Sequence, residues 1–144
     1  MLENFLAPYS DVGLLILRIG VGLVMLAHGW PKLNPSGPMG GVSGVGGFFK
    51  QLGIPVPSAA AWLVALLETF GAVLLIVGLG TRILALGFAI DMLVAITRAR
   101  IWMMKSKFAG DGIGWEFEFI LGMASLALLF TGAGQYALDP LIGL

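Results

Sequence analysis

The sequence predicts an all-α protein, a membrane four-helix bundle with up-down-up-down topology. Of its 144 residues, 58% are hydrophobic and only 11% are charged, whereas a soluble domain has about 25% charged residues. Four mostly apolar segments are close to the ~20 residues that a helix needs to cross a bilayer. Most connections between them are short, which favours helices of alternating direction. We therefore expect residues 1–144 to form one integral-membrane domain, with helices at about 12–31, 59–79, 82–103 and 114–132.

The first segment is apolar but contains charge. Arg18 lies within it, and His28 and Lys32 lie near its end. A lipid-exposed arginine at bilayer depth costs roughly 3 kcal/mol on insertion scales, so Arg18 is expected to face a partner or a cavity. Glu68 and Asp91, near the middles of the second and third segments, are candidate partners.

The first connection, residues 34–58, is rich in glycine. Its first half is predicted to be irregular, because glycine pays a high entropic cost in a helix. Residues 45–52 place Phe48 and Phe49 at helical spacing, which indicates a short interfacial or re-entrant helix. A phosphate-binding loop is disfavoured, since the motif's Lys-Ser/Thr ending and preceding strand are missing.

Basic residues predict the orientation. Gly80 and Thr81 join the second and third segments in a tight antiparallel turn. Both longer connections and the helix ends beside them contain most of the cations, so the positive-inside rule places those connections in the cytoplasm and both termini outside the inner membrane. These cations are Lys32, Lys50, Arg98, Arg100, Lys105 and Lys107.

The helical rise predicts that the charges form layers. Arg18, Glu68 and Asp91 come out at roughly 9, 16 and 13 Å from the N-terminal face, which is close enough for one layer. Glu118 and Arg98 come out at similar depth near the opposite face. Such layers either serve a ligand or fix the pairing of helices, and the sequence leaves both readings open.

Composition excludes several classes of function. A formal net charge of zero gives no basic surface for nucleic acid. The chain has no cysteine and one histidine, so it has no thiolate or multi-histidine metal site of its own. No haem, flavin or metal motif is visible in the sequence.

Aromatic and imidazole side chains cluster near the predicted helix ends. His28 is predicted to be an interfacial polar group, with a proton relay as the alternative. Trp30 and Trp115 fit interfacial anchors, and stacking on a quinone ring is the alternative for both.

The ordered pattern of residues resembles the DoxX family of small membrane proteins. Arg18, Gly22, His28-Gly29 and Lys32-Leu33 look like the first-helix signature of that family. The resemblance continues through most of the chain, at Phe48-Phe49, Leu52-Gly53-Ile54-Pro55, Glu68, Gly71, Gly78, Thr81-Arg82, Met92, Ala95, Gly114-Trp115-Glu116, Gly132-Ala133-Gly134 and Leu138-Asp139.

The resemblance implies a four-helix inner-membrane protein associated with quinone-linked oxidoreductases. Glu116 matches the family motif better than Glu118, so the motif role is assigned to Glu116. The family's C-terminal Ser-Leu-Asp reads Ala137-Leu138-Asp139 here, which retains the aspartate and lacks the serine.

Two functions remain open. In the first, the chain is a subunit that binds quinone. Arg18 and Lys32 polarise the quinone oxygens, Glu68, Asp91 and Glu116 exchange protons, and His28, Trp30 and Trp115 line the ligand.

In this first reading, the electrons come from a protein partner. In the second, the chain is a non-catalytic membrane scaffold for an enzyme complex. Transport is a weaker third reading. Membrane lipid is an expected partner in every reading, and a homo-oligomer is left open.

Overall fold

The computed structural model describes residues 6–109, 112 and 114–144, and over these residues the chain is helical with no strand. The prediction of an all-α protein is confirmed for this part of the chain. A 3₁₀ turn, Ala7–Tyr9, precedes the first of six helices. The helices are α1 (Ser10–Leu33), α2 (Gly41–Gln51), α3 (Pro57–Val77), α4 (Thr81–Val94, continued by the π-helical Ala95–Met103), α5 (Glu116–Thr131) and α6 (Asp139–Ile142).

Two of the described helices are long and apolar enough to cross a membrane. They are Ala7–Leu33, which includes α1, and Pro57–Val77, which is α3. Helix α5 has 16 residues, fewer than the ~20 that a span typically needs. Helix α4 ends in a segment that contains Arg98 and Arg100.

Helices α1 and α3 pack against each other in antiparallel directions. Gly22 of α1 lies against Ala72 and Ile76 of α3, whereas Gly29, further along α1, lies against Glu68, earlier in α3. A β-carbon at Gly29 would lie 2.5 Å from the carbonyl carbon of Glu68. Glycine at this position therefore allows the two backbones to approach closely.

Helices α4 and α5 form the second closely packed pair, also antiparallel. Arg82 near the start of α4 bonds to the end of α5, and Arg100 near the end of α4 bonds to Glu118 at the start of α5. The apolar core lies between α1, α3, α4 and α5 and contains Val21, Met25, Ala72, Leu75, Ala85, Phe88, Met92, Leu121 and Leu128.

The glycine-rich connection differs from its prediction. The sequence predicted irregular structure before residue 45, but α2 already begins at Gly41. Gly46 is buried where α2 packs on Ser58 and Ala61 of α3, so tertiary packing outweighs the low helix propensity of glycine. Gly40, with φ +67°, immediately precedes the helix.

The helix ends and connections lie at two ends of the molecule, which we call the first end and the second end. The first end contains the start of α1, the turn between α3 and α4, and the C-terminal segment 132–144. The second end contains the end of α1, helix α2 and residues 104–109, which follow α4.

Candidate functional site

An ion pair joins α1 to α3 near the second end. The Lys32 ammonium group binds Oε2 of Glu68, and the side chains are only 14% and 4% exposed. Glu68 lies in a π-helical turn, Leu67–Gly71, a local widening that is frequent at functional sites. The close approach at Gly29 brings the end of α1 against this turn.

Asp91 of α4 adds a second carboxyl group to the pair. It lies close enough to Glu68 and Lys32 to interact electrostatically with both, and two neighbouring carboxyl groups disfavour carrying negative charge together. Oδ2 of Asp91 is buried and has no hydrogen-bond partner among the described residues. With a proton on either one of the two carboxyl groups, the Lys32–Glu68–Asp91 cluster would have a net charge of zero, which suits burial in apolar surroundings.

This cluster lines a cavity of about 140 Å³ beneath α2, which we call the α2 cavity. A cavity of about 150 Å³ lined by apolar side chains holds a benzene molecule, so the α2 cavity has room for one aromatic ring. Apart from the three charged residues, its walls are almost entirely apolar and include Met39, Val45, Phe48, Phe49, Leu52, Ile54, Val64, Met92, Val94, Ala95 and Ala99.

Arg18 lies elsewhere, and the predicted single layer with Glu68 and Asp91 is wrong. The ion pairs among the described residues are Lys32–Glu68 and Arg100–Glu118. Arg18 is 1% exposed and points its guanidinium group at backbone carbonyls of the first end. Nε donates to Ile76 (3.2 Å), Nη1 to Ala133 (2.7 Å) and Nη2 to Tyr136 (2.5 Å).

Asp139 reinforces the same end. Its two carboxylate oxygens accept the backbone N–H groups of Gly80 (2.6 Å) and Thr81 (2.9 Å), which satisfies donors at the start of α4. The sequence identified Asp139 only through a family resemblance. Its position as a cap on a distant helix depends on tertiary structure and gives no local signal.

The second charged layer also differs in its members. Glu118 pairs with Arg100, at 2.7 Å from Nε, whereas the predicted partner Arg98 is exposed. Glu116, to which the family motif was assigned, is exposed, and Glu118 is 8% exposed. Neither glutamate is among the residues that line the α2 cavity.

The predicted aromatic and imidazole ligand residues lie outside the α2 cavity. His28 is exposed and packs against Phe117 at a centroid distance of 5.6 Å. Trp30 is 68% exposed. Trp115 packs edge-on against Phe108 at 4.7 Å and borders an apolar groove of about 350 Å³ between α4 and α5.

Of the residues predicted for the site, the structure therefore brings Lys32, Glu68 and Asp91 together. Sequence reasoning placed Phe48 and Phe49 in an interfacial helix but did not place them over these charges. The two phenylalanines are far from Asp91 in the sequence, so no local pattern predicts that contact.

Comparison with known proteins gives a consistent family assignment. The sequence profile of the DoxX family matches residues 13–105. The chain is 33% identical to the Bacillus subtilis protein named "Putative oxidoreductase CatD", over 92% of this chain and 88% of that protein.

It is 35% identical to the Escherichia coli "Inner membrane protein YphA", over 91% and 95% of the two chains. It is 30% identical to the Mycobacterium tuberculosis "Uncharacterized membrane protein Rv3486", over 85% and 77%. No solved structure gives a significant match.

Proposed function

The chain belongs to the DoxX family of membrane proteins, and from this premise we propose that it is a subunit of a quinone-linked oxidoreductase system that binds a quinone ring in the α2 cavity. One relative is named as an oxidoreductase, and the family resemblance implies a link to quinones. The observation that most supports the proposal is the cluster of one ammonium and two carboxyl groups on the wall of an otherwise apolar cavity.

The residues of the cavity suit this chemistry. A quinone takes up two electrons and two protons on reduction. Lys32 supplies a positive charge at the place where a quinone oxygen becomes more negative. The Glu68 and Asp91 carboxyl groups line the cavity and would exchange protons with a ligand within hydrogen-bond reach. In this proposal the electrons come from a protein partner.

Helix α2 provides the route of entry. It contains Gly41, Gly44, Gly46 and Gly47, and each glycine costs a helix roughly 1 kcal/mol relative to alanine. Since α2 is short and packs mainly on α3, we expect that displacing it exposes the cavity at lower cost than separating two long helices.

In the membrane, α1, α3, α4 and α5 form an up-down-up-down bundle in this proposal. The antiparallel packing of α1 with α3 and of α4 with α5 supports it. The second end, with its lysines and arginines, faces the cytoplasm, both termini face outward, and α2 lies at the cytoplasmic interface.

Labelling of single cysteines tests this topology, because the chain has no native cysteine. Gln51 on α2 and Gln135 at the first end are both exposed. A membrane-impermeant maleimide applied to intact cells is expected to label Gln135→Cys and to label Gln51→Cys only after lysis. The reverse pattern would contradict the orientation.

Quinone retention tests the site. Full-length protein is purified gently, and bound quinone is quantified by mass spectrometry in wild type, Glu68→Gln and Lys32→Met. We expect at least about a tenfold loss of bound quinone in both variants, the effect of losing about 1.4 kcal/mol of interaction. Glu116→Gln, which changes an exposed carboxyl group, is the matched control and should retain quinone. A folded Glu68→Gln protein with wild-type quinone content would refute the proposed site.

A scaffold is the second candidate function, and the bonding of Arg18 favours it. The Arg18 side chain donates three hydrogen bonds to backbone carbonyls of this chain, so at least this buried charge serves packing. A scaffold predicts that Glu68→Gln lowers yield and partner retention together. Loss of quinone with normal yield and normal partner retention would contradict it.

A further inference from the structure

A second pocket lies at the first end of the molecule, and we call it the first-end pocket. It has a volume of about 410 Å³, within the range of about 300–1,000 Å³ that is usual for ligand sites. Its walls come from the starts of α1, α4 and α6 and from residues 131–135. It shares no lining residue with the α2 cavity.

Arg82 presents a partly used cation to the first-end pocket. Its Nη1 donates to the carbonyl groups of Leu129 (2.6 Å) and Phe130 (3.0 Å), which ties the guanidinium group to the end of α5. Nε and Nη2 donate no hydrogen bond to the described residues, and the side chain is exposed. These two nitrogens form an edge of the guanidinium group that can bind two oxygens of a phosphate or carboxylate in parallel.

Asp11, in the first turn of α1, presents an anion to the same pocket. Its Oδ1 accepts the backbone N–H of Gln135 at 3.1 Å, and its Oδ2 accepts no hydrogen bond from the described residues. Asp11 is half-buried, so part of its surface remains accessible. The other acidic residue of the wall, Asp139, is 5% exposed and uses both oxygens on backbone N–H groups, so it offers little to a ligand.

A short glycine-containing segment borders both charges without pairing them. A β-carbon at Gly132 would lie 3.1 Å from Nη2 of Arg82, and one at Gly134 would lie 2.9 Å from Oδ1 of Asp11. Two residues of extended chain span about 7 Å, so both charges border the same short stretch. No ion pair joins them among the described residues. A cation and an anion that share a pocket without pairing complement a ligand that carries both signs of charge.

The surroundings of the pocket favour a lipid as the source of that ligand. Ile83 lines the pocket and is 78% exposed, so apolar surface adjoins the charges. Helix α1 begins and α3 ends at this end of the molecule, and both are long enough to cross a membrane. The pocket therefore lies near the level of lipid headgroups, where a phospholipid can keep its acyl chains against the apolar surface.

We propose that the first-end pocket binds the headgroup of phosphatidylethanolamine, with its phosphate on Nε and Nη2 of Arg82 and its ammonium group on Oδ2 of Asp11. The ethanolamine ammonium group donates hydrogen bonds, whereas the trimethylammonium group of phosphatidylcholine has no N–H. Phosphatidylglycerol has no cation to place against Asp11. The inference is independent of the quinone site, since the two cavities share no lining residue.

Native mass spectrometry of the full-length protein, delipidated in detergent, tests the proposal. The protein is titrated separately with phosphatidylethanolamine, phosphatidylcholine and phosphatidylglycerol that have identical acyl chains. We expect one saturable site per chain that binds phosphatidylethanolamine at least about tenfold more tightly than the other two lipids, the effect of one charge-assisted hydrogen bond. Equal affinity for the three headgroups would overturn the proposal without any variant.

Asp11→Asn tests the ammonium contact, because it removes the charge while its amide oxygen can still accept the N–H of Gln135. The affinity for phosphatidylethanolamine is expected to fall at least about tenfold, and its advantage over phosphatidylglycerol should disappear. Partial unfolding would instead lower the binding of all three lipids. Glu116→Gln, an exposed carboxyl group outside the pocket, is the matched control. A retained preference in Asp11→Asn, or an equal loss in Glu116→Gln, would overturn the role of Asp11.

Arg82→Gln tests the phosphate contact. Binding of all three lipids is expected to fall at least about tenfold, because each carries the phosphate. The glutamine amide can still donate to the carbonyl group of Leu129, which limits the effect on α5. Arg98→Gln removes an exposed cation outside the pocket and should bind lipid as wild type does. Unchanged binding in Arg82→Gln, or an equal loss in Arg98→Gln, would overturn the role of Arg82.

Free phosphoethanolamine distinguishes a lipid from a water-soluble ligand. It carries the same two charges and has no acyl chains, so it is expected to displace phosphatidylethanolamine only at a concentration far above that of the lipid. Displacement at the concentration of the lipid itself would identify a water-soluble ligand and overturn the assignment to a phospholipid.

Discussion

Replacing Arg18 by methionine is expected to destabilise the first end of the molecule and to leave the α2 cavity intact. The guanidinium group makes hydrogen bonds of 3.2, 2.7 and 2.5 Å to the carbonyl groups of Ile76, Ala133 and Tyr136. Methionine fills similar space but donates to none of them. These bonds join α1 to the end of α3 and to the C-terminal segment, so their loss releases that segment.

The size of the effect follows from the number of bonds. A hydrogen bond to a charged group contributes about 1.5–3 kcal/mol. Two of the three bonds are only partly buried, so the lower figure applies, and the sum is about 4–5 kcal/mol of unfolding free energy. Arg18→Lys should lose most of this, since an ammonium group cannot match a guanidinium fork of several donors.

Stability and ligand binding together test whether Arg18 serves packing alone. The unfolding free energy in detergent should fall in Arg18→Met, and limited proteolysis should cut the C-terminal segment more rapidly than in wild type. Quinone binding by the remaining folded protein should equal that of wild type. If Arg18→Met lost quinone binding at unchanged stability, the assignment of Arg18 to packing would be refuted.

Three further predictions concern single contacts. Gly29→Ala should cost about 1–3 kcal/mol of unfolding free energy, because the new β-carbon would lie 2.5 Å from the backbone of the π-helical turn in α3. Gly20→Ala, with nothing within 4 Å, is its control in the same thermal unfolding assay, and an equal loss there would contradict the reasoning. Asp139→Ala should cost about 1–2 kcal/mol through loss of the cap on α4, seen as faster proteolysis of the C-terminal segment, and wild-type resistance would count against the cap. Glu118→Gln should lower the melting temperature, because it weakens the bond to the guanidinium group that approaches to 2.5 Å, whereas the exposed Glu116→Gln should not, and equal melting of the two would argue against a role for this ion pair.

The sequence predicted the helical class because composition and segment length express it directly. It also identified Glu68 and Asp91 as charges within apolar segments and Lys32 as a candidate ligand residue, since a charge in an apolar segment is visible without any structure. The pairing of those charges was less predictable. Arg18 and Lys32 lie on the same helix. The estimated depth of a charged side chain does not show whether its partner is a carboxylate on another helix or a backbone carbonyl of a distant C-terminal segment.

The glycine-rich segment illustrates a different limit. Intrinsic propensity predicts irregular structure for residues 34–44, and the helix that begins at Gly41 depends on contacts with Ser58 and Ala61. Packing against a second helix is a property of the folded chain. The local sequence therefore predicted too late a start for α2, the helix that covers the α2 cavity.

The contrast between Arg18 and Lys32 indicates where chemistry can occur in this molecule. The guanidinium group of Arg18 has fixed carbonyl partners, and backbone carbonyls can neither take up nor release a proton. Lys32 instead pairs with the carboxylate of Glu68, and both line a cavity with room for one aromatic ring together with the carboxyl group of Asp91. A charge bonded only to backbone carbonyls stabilises the fold and offers no titratable partner to a ligand, whereas carboxyl groups on the wall of a cavity can exchange a proton with a ligand. This difference in the groups that surround each charge, more than the presence of charge in the membrane, favours the Lys32–Glu68–Asp91 cluster as the functional centre.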